Sequence, residues 1–125
     1  MKTKEIPRDE WREFFDSFSR QHEGWLVTLQ ILGSEIGAQV EGRQLVFEGI
    51  VDELVNNQGN EILIMVGAKP DNHITHNISH PTTVSLEQTD EGADIALAIK
   101  SGDGNTTLLQ FRSAVLPEMV DAIAG

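Results

Sequence analysis

The chain has 125 residues, a length that fits one domain able to bury a core without disulfides or metal. It carries 20 acidic side chains against 9 Lys and Arg, a formal charge of −11. Because no basic cluster offsets this acidity, binding to nucleic acid or to an anionic membrane is disfavoured. The absence of cysteine excludes disulfides and thiolate chemistry, and the lack of an N-terminal apolar run favours a cytoplasmic location.

The first segment is typical of an amphipathic helix, predicted over residues 7–23. Pro7 suits the first helical position, where its missing N–H costs nothing, and Gly24 is a common C-terminal stop. Four aromatic side chains follow the 3.6-residue period and share one face: Trp11, Phe14, Phe15 and Phe18. We expect this face to pack on the sheet of the same chain, because short helices depend on such packing.

Residues 25–112 change to a period of two, which predicts about six or seven strands. An Asn-rich turn at 56–60 and a Gly-Asp-Gly-Asn turn at 102–105 indicate hairpins. Parallel strands would need crossover helices, and none is predicted, so the pairing is expected to be antiparallel. The sequence thus predicts a single α+β domain over residues 1–125, with the N-terminal helix packed on an antiparallel β-sheet or small barrel. Residues 116–124 are predicted to form a short helical turn.

The strongest candidate for a metal site is a histidine trio, His73, His76 and His80. On a helix these residues would share a face and suit zinc or another divalent metal. The Ile- and Thr-rich composition favours a strand, on which His73 points away from the other two. Structural histidines are therefore the favoured interpretation, and a metal site using all three is the alternative.

No other motif indicates catalysis or a cofactor. The chain has no G-x-S-x-G for a nucleophile and no glycine-rich phosphate loop between a strand and a helix. The paired acids Asp52 and Glu53 are typical of a solvated strand end. No catalytic residue is predicted, and a non-enzymatic role is favoured.

Three stretches of the chain carry a resemblance to a known family. They read IPRDEWREFFDSFSRQHEGWLVTLQILG, HITHNISHPTTVSLEQTDEGAD and NTTLLQFRS. Together they resemble a family of short acidic bacterial proteins that is labelled only as a domain of unknown function. The resemblance implies a bacterial cytoplasmic origin, and it carries no activity, cofactor or site residue.

Three functions are compatible with the sequence. The first is a non-enzymatic binding or interaction module, with an unknown protein partner or self-association, suggested by the two-sided apolar strand at residues 61–66. The second is a metal-binding protein that uses the histidine trio. The third is a carrier that holds a small apolar ligand between the helix and the sheet.

Overall fold

The computed structural model describes residues 2–33, 37–54, 59–69 and 72–111. Helix α1 spans Trp11–His22 after a 3-10 turn at Arg8–Glu10, within the range that the sequence predicts for a helix. In the part of the chain described, no helix has the length and apolar character to cross a membrane. The predicted helical turn at 116–124 lies outside the described residues. The strands are β1 Lys2–Ile6, β2 Leu26–Gly33, β3 Gly37–Leu54, β4 Asn60–Lys69, β5 Asn72–Ser79, β6 Pro81–Gln88, β7 Asp94–Ser101 and β8 Thr106–Phe111.

The eight described strands form one antiparallel sheet in the order β1-β6-β7-β8-β2-β3-β4-β5. The antiparallel prediction is confirmed, whereas the predicted count of six or seven strands is too low. Strand β1 was missed because its sequence, KTKEI, has one apolar residue, and its pairing with β6 makes it a strand. The described residues are therefore mainly β with one short helix, which matches α+β only loosely. Strands β1 and β5 are edges, so the described sheet is not a closed barrel.

The sheet is nevertheless strongly curled. His80 alone separates β5, at one edge, from β6, which lies beside the other edge. So short a connection requires the two sides of the sheet to approach each other, and β4 contacts β6. The corner residue His80 has a φ of 54°, the left-handed conformation that allows a sharp change of direction.

The core lies between the curled strands and α1. The aromatic face of α1 is buried as expected, with Trp11 and Phe15 each 1% exposed and Phe14 only partly buried. The Trp11 indole N–H donates to the Ile6 carbonyl at 2.9 Å, which ties the helix start to β1. Strand residues from every part of the sheet complete the core, including Phe47, Ile64, Leu97, Ile99 and Leu109.

Strand β3 is 18 residues long and has different neighbours along its length. Its first part pairs with β2, from Gly37 to Val46, and its second part pairs with β4, from Val46 to Leu54. Residues 37–54 therefore form one continuous strand, paired first with β2 and then with β4. Because β2 begins only at Leu26, the second part of β3 extends beyond it.

Candidate functional site

The edge of β3 that faces away from β4 is covered in successive stages. Strand β2 pairs with it as far as Val46. The chain just before β2 then takes over, since Gly24 N–H donates to the Phe47 carbonyl and Phe47 N–H donates to the Trp25 carbonyl, both at 2.8 Å. A bulge follows, where the register with β4 shifts. Beyond this bulge β3 lies beside α1.

Ser19 of α1 provides the next stage of this cover. Its hydroxyl accepts from Ile50 N–H at 2.9 Å and donates to the Ile50 carbonyl at 3.1 Å. Both main-chain groups of Ile50 therefore point toward the helix and away from β4. One serine side chain here takes the place of a neighbouring strand.

After Ile50 no described strand covers this edge. Residues 49–54 pair with β4 in unbroken register, and main-chain groups in an antiparallel pair point alternately toward and away from the partner strand. The outward direction at Ile50 therefore recurs at Asp52 and Leu54. No described strand pairs with either residue on that side. The described fold thus leaves their outward N–H and C=O groups without a strand partner.

A groove of about 600 Å³ separates this edge from the N-terminal half of α1 and is open to solvent. Exposed Val51 and half-buried Met65 supply the accessible apolar surface of its lining, which also includes the buried side chains of Phe15 and Ile50. Charged side chains line it from both sides, namely Arg12, Glu13 and Asp16 of α1 and Glu48 and Asp52 of β3. The groove therefore combines apolar surface, a negative balance of charge and main-chain groups that no described strand pairs with.

Three of these carboxylates are held by neighbouring side chains. Asp16 accepts from Arg20 at 2.6 Å, and Glu48 accepts from His73 Nδ1 at 2.6 Å. Asp52 accepts from the Asn60 amide at 2.8 and 3.0 Å. The acidic rim is thus ordered by local contacts.

Exposed apolar side chains accompany the same strand. All of the large apolar residues that are exposed in the described part of the chain lie on β3: Val40, Val46, Val51 and Leu54. Val51 is 42% exposed and Leu54 is 66% exposed, beside the open part of the edge. An exposed apolar strand edge is a surface on which another strand can pair.

At its other end α1 is fixed by a buried histidine. His22 is 1% exposed, and its Nδ1–H donates to the Phe18 carbonyl at 2.8 Å. Its Nε2 lies 2.8 Å from the Asp94 carboxylate, which also accepts from the Gln88 amide at 2.8 Å. Since both ring nitrogens face acceptors, this geometry suits an imidazolium paired with an ionised Asp94.

The environment of Asp94 agrees with that assignment. Burial would raise the pKa of Asp94, but hydrogen bonds from His22 and Gln88, together with the charge of His22, lower it below its usual value. Three aromatic rings surround the imidazole, with centroid distances of 4.2 Å to Phe18, 4.6 Å to Trp25 and 4.9 Å to Phe111. The pair therefore ties the end of α1 to β7 inside the core.

Sequence reasoning missed His22, although a signal was present. The residue comes four positions after Phe18 and seven after Phe15, so it continues the apolar stripe of the helix. A polar ring on such a face indicates a buried group with specific partners. Asp94, 72 positions away in the sequence, could not be named as that partner.

The structure separates the histidine trio. His73 is exposed and bonds to Glu48, whereas His76 is half-buried, with its Nε2 3.3 Å from the Thr107 hydroxyl. Burial lowers the pKa of His76, and the nearby charge of Glu41 opposes that shift. His80 is the exposed residue at the corner between β5 and β6.

The sequence predicts that His73 and His76 point to opposite faces of a strand, and their different surroundings agree with this prediction. Among residues 2–33, 37–54, 59–69 and 72–111, no group of three or more His, Cys, Asp or Glu is placed to hold a metal ion. Metal binding by His73, His76 and His80 stays a prediction.

Comparison with known proteins identifies relatives without an assigned role. No solved structure matches the chain. An uncharacterized protein from Aquifex aeolicus (strain VF5) is 27% identical over 119 residues, which cover 94% of this chain and all of the relative. Residues 2–119 match a family described as "Family of unknown function (DUF5335)". The chain therefore belongs to this family.

Proposed function

We propose that this protein is a non-enzymatic interaction module that binds an extended segment of another protein along the open edge of β3. The observation that carries the proposal is the outward-facing main chain at Asp52 and Leu54, beside a groove of about 600 Å³. An extended peptide can add to such an edge as a further strand, with main-chain hydrogen bonds supplying affinity. The groove volume falls within the range of about 300–1,000 Å³ that is typical of ligand sites.

Two features support a preformed site. Ser19 fixes α1 at a set distance from β3 through its two bonds to Ile50. The His22–Asp94 pair anchors the other end of the helix in the core. A rigid groove loses little conformational entropy on binding, so more of the contact energy contributes to affinity.

The same two polar groups support a non-enzymatic role. The Ser19 hydroxyl is engaged by both main-chain groups of Ile50. The His22–Asp94 pair is enclosed by aromatic rings, and the histidine is 1% exposed. Both arrangements therefore serve packing and edge cover. Metal binding and carriage of an apolar ligand, the two alternatives from the sequence, stay predictions.

Selection from a random ten-residue peptide library displayed on phage, against the full chain, tests the proposal. Selected peptides are then measured against Asp52→Pro, which removes the outward N–H and leaves the bonds to β4 in place. The matched control is Asp52→Asn, which keeps the N–H. Thermal unfolding confirms that both variants are folded.

We expect selected peptides to lose at least about tenfold in affinity for Asp52→Pro, and to lose less for Asp52→Asn. Equal affinity for Asp52→Pro and the unmodified chain would refute binding by strand addition at this edge. Failure to recover any peptide that binds the folded chain would refute it as well.

A further inference from the structure

We infer that the bound segment contains two adjacent basic residues flanked by apolar ones, and that it comes from a different protein. This inference rests on the proposed function, because it specifies the chemistry of the segment that the β3 edge receives. It follows from the order of side chains along residues 51–54, which read Val-Asp-Glu-Leu.

The first argument is cross-strand pairing. Side chains directly opposite each other on adjacent antiparallel strands lie about 4.5–5.5 Å apart, so each one selects its neighbour. Val51 and Leu54 are exposed apolar side chains, which favour apolar partners. Asp52 and Glu53 lie between them and favour basic partners. The complementary order, apolar-basic-basic-apolar, reads the same in either direction, so it holds for both orientations of the added strand.

The second argument is the charge around the groove. Among the described residues that line the groove, Arg12 is the one basic side chain, against the carboxylates of Glu13, Asp16, Glu48 and Asp52. The whole chain has a formal charge of −11, so its wider field also attracts a basic segment. Complementary charge speeds association and discriminates against acidic partners.

The same charges argue against a second copy of this chain at the edge. Antiparallel pairing of two copies centred on Asp52, whose main-chain groups point outward, would place the Asp52 side chains of the two copies opposite each other. Like charges in directly opposed positions destabilise a strand pair. The acids therefore protect the edge from self-pairing while they select a basic partner.

The C-terminal segment of the chain is also a poor match by its sequence. Residues 112–125 carry one basic residue, Arg112, and two acidic ones, Glu118 and Asp121. The segment has no adjacent basic pair. A partner from outside this chain therefore fits the edge better.

Four labelled peptides test this inference by fluorescence anisotropy with the full chain. Each has Thr at both ends around a core of Val-Lys-Lys-Val, Val-Thr-Thr-Val, Val-Glu-Glu-Val or Lys-Val-Val-Lys. The last has the composition of the first with its order changed. We expect Val-Lys-Lys-Val to bind at least about tenfold more tightly than Val-Thr-Thr-Val, and about fivefold more tightly than Lys-Val-Val-Lys.

Variants of the chain connect this preference to the edge. The double variant Asp52→Asn/Glu53→Gln should bind the Lys-Lys and Thr-Thr peptides within about twofold of each other. The charge control is Glu91→Gln, an exposed acid in the turn between β6 and β7 that lines no part of the groove. It should keep the preference of the unmodified chain.

Four outcomes would overturn the inference. Equal binding of the Lys-Lys and Thr-Thr peptides, with both weakened by Asp52→Pro, would remove the basic pattern and leave the proposed function standing. Binding of none of the four peptides would remove the pattern, and the phage selection then decides the proposed function separately. Displacement of the Lys-Lys peptide by a peptide of residues 112–125 would assign the edge to the chain's own terminus. A dimer in sedimentation that Asp52→Pro abolishes would assign it to a second copy.

Discussion

The two ends of α1 meet the sheet in different ways. At the C-terminal end, His22 is 1% exposed, its ring nitrogens both have partners, and three aromatic rings surround it. At the N-terminal end, Arg12 and Asp16 are exposed and face β3 across an open groove. Ser19 lies between the two regions and makes the last bonds to the strand edge that the described residues show.

This difference follows from the unequal lengths of two neighbouring strands. Strand β2 begins at Leu26, whereas β3 runs on to Leu54, eight residues past its last pairing with β2 at Val46. The helix covers the first part of this extension through Ser19, and no described strand covers the remainder. The packing of α1 beside a strand longer than its neighbour thus produces two features. One is the buried His22–Asp94 contact, and the other is the β3 edge that no described strand covers. The predictions below test each half of this comparison.

The largest effect is expected at the closed end. His22→Ala should lower the free energy of unfolding by about 3–5 kcal/mol, because it removes a packed ring and leaves Asp94 without its charged partner. Urea denaturation at neutral pH measures this change. The control His80→Asn, at an exposed corner and with a residue that tolerates positive φ, should cost less than about 1 kcal/mol. A cost for His22→Ala as small as that of the control would contradict a structural anchor.

Proline substitutions compare the two sides of β3. At Glu53 the N–H points toward β4, so Glu53→Pro should lower the free energy of unfolding by about 2 kcal/mol or more. At Asp52 the N–H points outward, and Asp52→Pro should cost about 1 kcal/mol or less, chiefly through its contact with Asn60. Equal losses in urea denaturation would show that both sides of the strand are paired.

Ser19→Ala tests the boundary between the two regions. It should lower the free energy of unfolding by about 1–2 kcal/mol, since both main-chain groups of Ile50 lose their partner. Ser17→Ala, at an exposed position of the same helix, should change it by no more than about 0.5 kcal/mol. If the two variants are equally stable, the bonds seen at Ile50 do not hold the helix to the edge.

The smallest effect concerns the pH dependence of stability. Burial lowers the pKa of His76 in the folded state, so the unfolded chain binds the proton more readily. Below the ordinary histidine pKa of about 6.5, the unfolded chain gains a proton that the folded chain resists. The free energy of unfolding therefore falls as the pH falls through this range. His76→Gln should therefore show a smaller loss of stability than the unmodified chain between about pH 7.5 and pH 5.5. His80→Asn is the control, and an unchanged slope for His76→Gln would contradict the assignment.

Much of the fold could be predicted from the sequence, because local periodicity reports which face is buried. The spacing of Trp11, Phe15 and Phe18 predicts the helix and its buried side, and alternation predicts most strands. Strand β1 could not be predicted in this way, since only Ile6 is buried and the strand depends on pairing with distant residues. Counting strands from alternation alone fails wherever pairing, and not burial, maintains the strand.

The candidate site depends still more on tertiary structure. The sequence indicates an ordinary solvated strand end at Asp52 and Glu53, and nothing local shows that β2 begins too late to cover them. The bond from Ser19 to Ile50 joins residues 31 positions apart, and no sequence pattern indicates it. For the histidines, strand periodicity was sufficient to predict that His73 and His76 face different surroundings.

Exchange rates of individual backbone amides, measured by NMR across residues 49–54, test the open edge most directly. Val51 and Glu53 should exchange slowly, because their N–H groups bond to β4, and Ile50 should be protected by Ser19. Asp52 and Leu54 should exchange much faster, which gives an alternating pattern along the strand. Protection of Asp52 and Leu54 equal to that of Val51 and Glu53 would show that the edge is already occupied, and would contradict the account.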